Sequence, residues 1–140
     1  MKNLANKIAK VQQEIGVLSK DAKNPFFKST YLTLNELLAN LKPLEEKHKV
    51  TTIQIPSHVD GKPSLKIYVY DLESDESLVD NSILPESLDA QKMGSAITYF
   101  RRYQLTALYK IQAEDDDANS ASKAPSVSSP ASSYSNDLEF

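Results

Sequence analysis

The chain has 140 residues, 40% of them hydrophobic and 25% charged, a composition typical of one soluble globular domain with its own core. It contains no cysteine, which excludes disulfides, thiolate metal sites and cysteine nucleophiles, and its two histidines, His48 and His58, lie too far apart to suggest a histidine-rich metal site. No apolar run approaches the ~18 residues of a membrane-spanning helix, and residues 1–10 lack the apolar core of a signal peptide, so we expect a cytoplasmic protein.

The net charge of −3 is unevenly distributed along the chain. Residues 1–113 carry fifteen Lys and Arg against thirteen Asp and Glu, a balance of +2, whereas residues 114–140 carry one Lys and six acids, a balance of −5. The body of the protein is therefore close to neutral, and its overall field is too weak to bind phosphate groups. Binding to a nucleic acid would need a local basic groove, which repetition in an oligomer would strengthen by avidity.

The first predicted helix covers residues 3–18, where apolar residues recur every three or four positions. These residues are Leu4, Ile8, Val11, Ile15 and Leu18. The helix is expected either to pack on the body of the domain or to contact a second subunit.

The next segment breaks the helical pattern, because Pro25 disfavours a helical conformation of the residue before it. Its aromatic and basic residues are Phe26, Phe27, Lys28 and Tyr31. We expect one phenylalanine to anchor the loop and the other to face outward with the lysine and the tyrosine. This segment is either a hydrophobic anchor over the core or an aromatic–basic patch that meets DNA.

A second helix is predicted to begin after Thr33, because Thr33 and Glu36 have the spacing of a capping box. Its apolar face consists of Leu34, Leu37, Leu38, Leu41 and Leu44. Pro43 is expected to kink this helix near its end. His48 and Lys49 suit its carboxyl end, where the helix dipole favours cations.

Three strands with short turns are predicted to follow. β-branched residues favour a strand over residues 50–55, and Asp60-Gly61 is a typical reversal signal. A turn at residues 74–76 separates the second strand from a weaker third strand over residues 77–84, which Pro85 ends.

The second predicted strand has one apolar face and one basic and aromatic face. Leu65, Ile67 and Val69 lie on the first, and Lys66, Tyr68 and Tyr70 lie on the second. The basic and aromatic face is either solvated, covered by a helix, or available as a stacking platform for bases.

A long final helix is predicted from Gln91, with Ser87 or Asp89 as its N-cap. Its apolar residues are expected to form one band that faces the core. This band consists of Ala90, Met93, Ile97, Phe100, Ala107 and Leu108. An antiparallel meander of about three strands with a helix across one face predicts the α+β class.

This helix also places two adjacent arginines between two tyrosines, in the order Tyr99, Arg101, Arg102, Tyr103. Guanidinium groups beside aromatic rings suit single-stranded nucleic acid, because the charge meets phosphate and the ring offers a stacking surface. The alternative is an amphipathic helix with a solvated basic edge.

The end of the chain changes character after the four consecutive acids at residues 114–117. Residues 118–140 are rich in Ser, Ala and Pro, which predicts a domain over residues 1–117 and a disordered acidic tail over residues 118–140. Four consecutive acids cannot converge on one metal ion from a regular helix, and three glycines form no phosphate-binding loop. These features argue against a two-metal nuclease and against ATP-driven strand exchange.

Two blocks of the sequence closely resemble the Erf (essential recombination function) family of phage single-strand-annealing proteins. The first is NPFFKSTYLTLNELLANLKPLEEKHKV, residues 24–50, and the second is GSAITYFRRYQLTALYKIQAEDDD, residues 94–117. They occur in the order typical of the family, and the resemblance covers roughly residues 1–119. It implies a β-β-β-α core and an oligomer that binds and anneals single-stranded DNA in phage homologous recombination without ATP.

The resemblance implies a DNA-binding site without catalytic residues, metal or cofactor. Arg101 and Arg102 are the expected phosphate contacts, and Tyr99 and Tyr103 are expected to support them. The further candidates for DNA contact are Lys92, Thr98, Lys28, Tyr31 and Phe26. Gly94 is expected to permit close packing of the helix on the sheet.

The partners implied are single-stranded DNA, the annealed duplex, further copies of the chain in a ring or filament, and a phage exonuclease or a host single-stranded-DNA-binding protein, all within the bacterial host cell. No membrane partner is expected. The last five residues, Asn-Asp-Leu-Glu-Phe, resemble the tip with which bacterial single-stranded-DNA-binding proteins recruit partners, with an ordinary solubilising tail as the alternative. The alternative function is a structural or adaptor module that does not bind DNA.

Overall fold

The computed structural model describes residues 1–18 and 32–113, which form three helices and five strands. The helices are α1 (Lys2–Ile15), α2 (Leu34–His48) and α3 (Ala90–Tyr109). The strands are β1 (Val17–Leu18), β2 (Val50–Val59), β3 (Lys62–Asp71), β4 (Ser77–Ile83) and β5 (Gln112–Ala113). β2, β3 and β4 form an antiparallel meander with β3 at its centre, which confirms the predicted α+β class.

Helix α1 is shorter than predicted, because Gly16 ends it with a positive φ of 64°. A left-handed conformation is accessible to glycine without steric cost, so it stops the helix here. Leu18 was expected on the helix and instead lies in β1, where it is buried and pairs in parallel with Ala113 of β5.

Helix α2 begins at the predicted capping box. The Glu36 backbone N–H donates to Thr33 Oγ1 at 3.2 Å, and the Thr33 N–H donates to Glu36 Oε1 at 3.0 Å. The helix continues through Pro43 and ends where Lys49 adopts a left-handed conformation. The predicted apolar face is confirmed: Leu34, Leu37 and Leu41 are buried, and Leu38 and Leu44 pack half-buried against the core.

The hairpin between β2 and β3 turns through Asp60 and Gly61, which have φ values of 51° and 78°. Two positive φ values are the signature of a type I′ turn, whose twist matches that of the flanking strands. The turn sets the register, with Val59 opposite Lys62 and Thr51 opposite Tyr70.

All three helices pack on one side of the meander, here called the helix face. On β3 this face carries Leu65, Ile67 and Val69, which are buried as predicted. The opposite side, here called the open face, carries Lys66, Tyr68 and Tyr70 of β3. The core between the helices and the helix face includes Leu4, Val11, Leu37, Leu41, Val50, Ile67, Val69, Leu105 and Tyr109.

The predicted apolar band of α3 is confirmed in part: Leu108 packs against the core, and Met93, Ile97 and Phe100 are half-buried. The buried residues of α3 are Ala96, Leu105 and Tyr109, whereas Ala90 and Ala107 of the predicted band are exposed. The prediction assumed that α3 buries the same side along its whole length. In the structure, the buried positions of the first and second halves of α3 lie on different sides of the helix. Gly94 is exposed, and no described residue lies within 4 Å of a Cβ built there, so its predicted packing role is also wrong.

A half-buried carboxylate links α2, β2 and the end of α3. Glu45 accepts a 2.7 Å hydrogen bond from the Tyr109 hydroxyl and a 3.1 Å bond from Thr52 Oγ1. Burial raises the pKa of Glu45 despite these donors, and it also raises the pKa of the Tyr109 phenol, whose proton points to the carboxylate. The site therefore needs its hydroxyl donors, because a buried carboxylate without them is costly.

A second polar link ties α1 to the end of β3 and the turn that follows. Lys7 Nζ lies 2.6 Å from Asp71 Oδ1 and 2.6 Å from Glu73 Oε1, and the Asp71 side chain is 1% exposed. Asp71 also accepts hydrogen bonds from the Glu73 N–H and from the Ser74 hydroxyl. The Lys7 hydrogen bond, followed by these two donors, lowers the pKa of Asp71 to about 2.

We expect Tyr109→Phe to lower the free energy of unfolding by ~1–3 kcal/mol, because the half-buried Glu45 carboxylate loses a donor while the ring packing is retained. Urea unfolding followed by circular dichroism measures this difference. Tyr103→Phe is the matched control, since Tyr103 is exposed. Equal midpoints for the two variants would contradict the proposed role of the hydroxyl.

The Asp71 carboxylate predicts a loss of stability in acid. Its pKa is lower in the folded state than the ordinary 3.8, so its stabilising effect is complete above pH ~4 and is lost as the pH falls toward 2. We expect Asp71→Asn to lower the thermal midpoint at pH 7 and to flatten its dependence on pH between 4 and 2. Asp75→Asn, in the exposed part of the same turn, is the control, and an unchanged pH profile in Asp71→Asn would refute the assignment.

Candidate nucleic-acid interface

An aromatic–basic cluster, consisting of Tyr99, Phe100, Arg102 and Tyr103, forms in the middle of α3. The rings of Tyr99 and Tyr103 are one helical turn apart and stack at 5.4 Å with an interplanar angle of 21°. Phe100 meets both tyrosines edge-on, at 5.3 Å and 6.1 Å. Arg102 Cζ lies 5.3 Å from the centroid of the Tyr99 ring, within the range of a cation–π interaction.

Exposure differs among the members of the cluster. The Tyr103 ring is 57% exposed, while Tyr99, Phe100 and Arg102 are half-buried. An exposed ring held by a stacked neighbour offers a base a rigid surface, and the adjacent guanidinium supplies a charge for phosphate. The cluster therefore combines the two chemical groups that single-stranded nucleic acid requires.

Two further candidates lie on the exposed surface of α3. Lys92 is exposed and precedes Tyr99 by seven residues, about two turns, which puts both on the same side of the helix. Thr98 is exposed and precedes Arg102 by one turn, so it flanks the cluster. Both positions are compatible with DNA contact, and their roles remain predictions.

Arg101 is separated from the cluster, although the sequence suggested that the two arginines act together. Its Nε donates to Gln54 Oε1 of β2 at 3.3 Å, and the Arg101 carbonyl oxygen accepts from Gln54 Nε2 at 3.1 Å. Within the described residues Arg101 forms no salt bridge. It lies half-buried where α3 meets the helix face of β2, so its contacts are those of a positioning residue.

Two glutamines that the sequence analysis did not single out connect α3 to all three strands of the meander. Gln54 Nε2 donates to Gln104 Oε1 at 2.9 Å. Gln104 Nε2 in turn donates to the Leu65 carbonyl oxygen at 2.9 Å and to Ser82 Oγ at 3.0 Å. The sequence could have indicated a role for Gln54, because strand alternation in β2 places its side chain on the side that faces the helices.

A groove of about 540 Å³ lies beside the cluster, between α3 and the β3–β4 side of the helix face. Its lining is mainly apolar, and it includes Val69, Leu78 and Tyr103. The Asp80 carboxylate also lines it, which disfavours phosphate inside the groove. The cluster therefore meets a phosphate backbone more favourably at its Arg102 side than in this groove.

Three predicted site residues, Phe26, Lys28 and Tyr31, lie outside the described residues, as do the acidic run and the tail. In residues 1–18 and 32–113, no group of three or more His, Asp or Glu side chains is placed to hold a metal ion. None of the helices in these ranges has the length and apolarity needed to span a bilayer.

Comparison with known proteins identifies the family. Searches against curated proteins and against solved structures found no match. The family model of the ERF superfamily matches residues 4–137, which include both sequence blocks and the aromatic–basic cluster of α3. Membership in this family supports a role in phage recombination by strand annealing. Because the match spans nearly the whole length, the chain belongs to the ERF superfamily.

Proposed function

We propose that this protein binds single-stranded DNA and anneals complementary strands without ATP, acting as an oligomer in phage homologous recombination. The aromatic–basic cluster of α3 is the observation that carries this proposal. An annealing protein breaks no bonds; it holds a strand by its phosphates and leaves the Watson–Crick edges accessible to a second strand. A stacked tyrosine pair with an adjacent guanidinium suits this task, because stacking on an aromatic ring does not depend on base sequence.

Within this proposal the members of the site have distinct roles. Arg102 and Lys92 neutralise phosphates, and Tyr103 receives a base on its exposed ring with Tyr99 behind it. Arg101 contributes mainly by holding α3 on β2 through Gln54. Thr98 on α3 and the segment with Phe26, Lys28 and Tyr31 would extend the path of the DNA.

The charge balance supports the proposal that the protein acts as an oligomer. Residues 1–113 have a balance of only +2, so one copy has little long-range attraction for DNA. Several copies that bind the same strand convert later contacts into intramolecular ones and raise the overall affinity. A phage exonuclease or a host single-stranded-DNA-binding protein would deliver the strand, and residues 136–140 are the proposed contact.

The test of the proposal is annealing of two complementary fluorescent oligonucleotides without ATP across a salt series. We expect the wild type to accelerate annealing. Arg102→Ala should weaken binding and reduce the log–log salt slope by about 0.7, the value for one phosphate contact on a single strand. Tyr103→Ala should weaken binding by about tenfold without changing this slope, because it removes a stacking contact.

Two control variants sharpen this experiment. Lys42→Ala removes an exposed cation on α2 and should leave affinity and slope unchanged. Arg101→Ala should lower the free energy of unfolding by ~1 kcal/mol, as expected for one lost hydrogen bond, with little change in slope. A folded wild type that neither binds single strands nor accelerates annealing would refute the proposal and favour the adaptor alternative. Degradation of DNA that depends on divalent ions would instead indicate a nuclease.

A further inference from the structure

The open face of the meander carries cations and aromatic rings but no acid. Strand alternation and register assign fourteen residues of β2, β3 and β4 to it. They are Thr51, Ile53, Ile55, Ser57, Val59, Lys62, Ser64, Lys66, Tyr68, Tyr70, Ser77, Val79, Asn81 and Ile83. Two of them are lysines and none is Asp or Glu; Lys62 Nζ lies 3.9 Å from Glu86 Oε2 in the segment after β4, and Ser64 is buried.

The centre of the open face is a second aromatic–basic arrangement. The Tyr68 and Tyr70 rings lie 5.8 Å apart and are nearly parallel, with an interplanar angle of 9°. Lys66 Nζ lies 5.2 Å from the centroid of the Tyr68 ring. The three side chains therefore form a row along β3, in which a cation is followed by two stacked rings.

Exposed apolar side chains flank this row on both neighbouring strands. Ile53 and Ile55 on β2 and Val79 and Ile83 on β4 are between 41% and 56% exposed. Three polar contacts of the helices in residues 1–18 and 32–113 reach the other side of the sheet: Lys7 binds Asp71, Glu45 accepts from Thr52, and Gln104 donates to Ser82. The centre of the open face is thus an apolar and aromatic surface with one lysine, Lys66, beside its rings.

We propose that the open face is a second binding surface for single-stranded DNA, on which bases stack against Tyr68 and Tyr70 while Lys66 contacts a phosphate. This inference rests on the proposed function and deepens it by assigning a second DNA contact. Flat rings on a sheet surface accept any base, and apolar neighbours exclude water from the stack. The fourteen positions carry no carboxylate, so none of their side chains repels a phosphate that approaches Lys66.

The dimensions of the open face favour DNA over a second copy of the chain. Two strands of ten residues and one of seven, ~4.8 Å apart, give a planar strip of ~430 Å². A stable protein interface buries ~800 Å² on each partner, so two open faces packed together fall short of it. Such packing would also bring the lysines of two copies toward each other.

The two surfaces are independent of each other in space. α3 covers the helix face, so the cluster at Tyr99 and Tyr103 and the row at Tyr68 and Tyr70 lie on opposite sides of the sheet. Substitutions in one should leave the other intact, because distant sites without shared partners act additively. The two proposed contacts can therefore be tested separately.

The chain contains no tryptophan, so one introduced indole reports on one site. We expect titration with oligo(dT) to quench tryptophan fluorescence in the Tyr68→Trp variant, because a stacked base contacts the ring. The Tyr103→Trp variant reports in the same way on the α3 cluster. Leu72→Trp is the matched control: Leu72 is exposed in the turn after β3 and should show no quenching.

Affinity measurements complete the test. We expect Tyr68→Ala/Tyr70→Ala to weaken binding of oligo(dT) by tenfold or more, and Tyr68→Phe/Tyr70→Phe to retain binding because the rings remain. Lys66→Ala should reduce the salt slope by about 0.7, whereas Lys42→Ala should not. Circular dichroism and light scattering of each variant monitor the fold and the number of subunits.

The outcomes separate this inference from the proposed function. Quenching in Tyr103→Trp but not in Tyr68→Trp, with unchanged affinity in the Tyr68→Ala/Tyr70→Ala variant, would overturn the inference and leave the proposed function standing. Dissociation of the oligomer in that variant would show that the open face joins subunits, which also overturns it. A wild type without affinity for oligo(dT) would refute both proposals.

Discussion

The alternation of β3 is the constraint on which the rest of this structure depends. β3 is the central strand of the meander, so every residue on it faces either the helices or the open face. Leu65, Ile67 and Val69 are buried on the helix face, where all three helices pack. Lys66, Tyr68 and Tyr70 are consequently placed on the other side. A register shift of one residue would exchange the two sets and remove the core and the open face together.

Polar contacts then fix where each helix sits on that apolar surface. Apolar packing alone tolerates sliding and rotation, whereas hydrogen bonds between buried groups have defined geometry. Gln54 and Gln104 fix the middle of α3, Glu45 and Tyr109 fix its end, and Lys7 fixes α1. This arrangement gives the two arginines of α3 different environments: Arg101 is held against β2, and Arg102 lies over a tyrosine ring. Adjacent residues of the same type thereby acquire different roles.

The two aromatic surfaces share one feature, a cation beside a tyrosine ring. The body of the protein is nearly neutral, so the proposed attraction to DNA would depend on a few cations placed beside rings, with Arg102 at Tyr99 and Lys66 at Tyr68. Each such contact is modest by itself. Because the two surfaces lie on opposite sides of one sheet, a single chain that acts as proposed would contact DNA at two places. Repetition of these contacts in the proposed oligomer would raise the overall affinity although each contact is weak.

The sequence by itself determined the elements that depend on residues close to each other in the chain. The capping box at Thr33, the turn at Asp60-Gly61 and the alternation of β3 were predicted correctly, because each depends on residues a few positions apart. The sequence also identified the aromatic–basic composition of α3. Only the tertiary structure decided how α3 is oriented and that Arg101 and Arg102 separate, because both depend on Gln54, which lies 47 residues from Arg101. The sequence likewise did not predict the pairing of β1 with β5, because it joins two short segments from opposite ends of the described chain. Such contacts are set by packing rather than by local conformational preference.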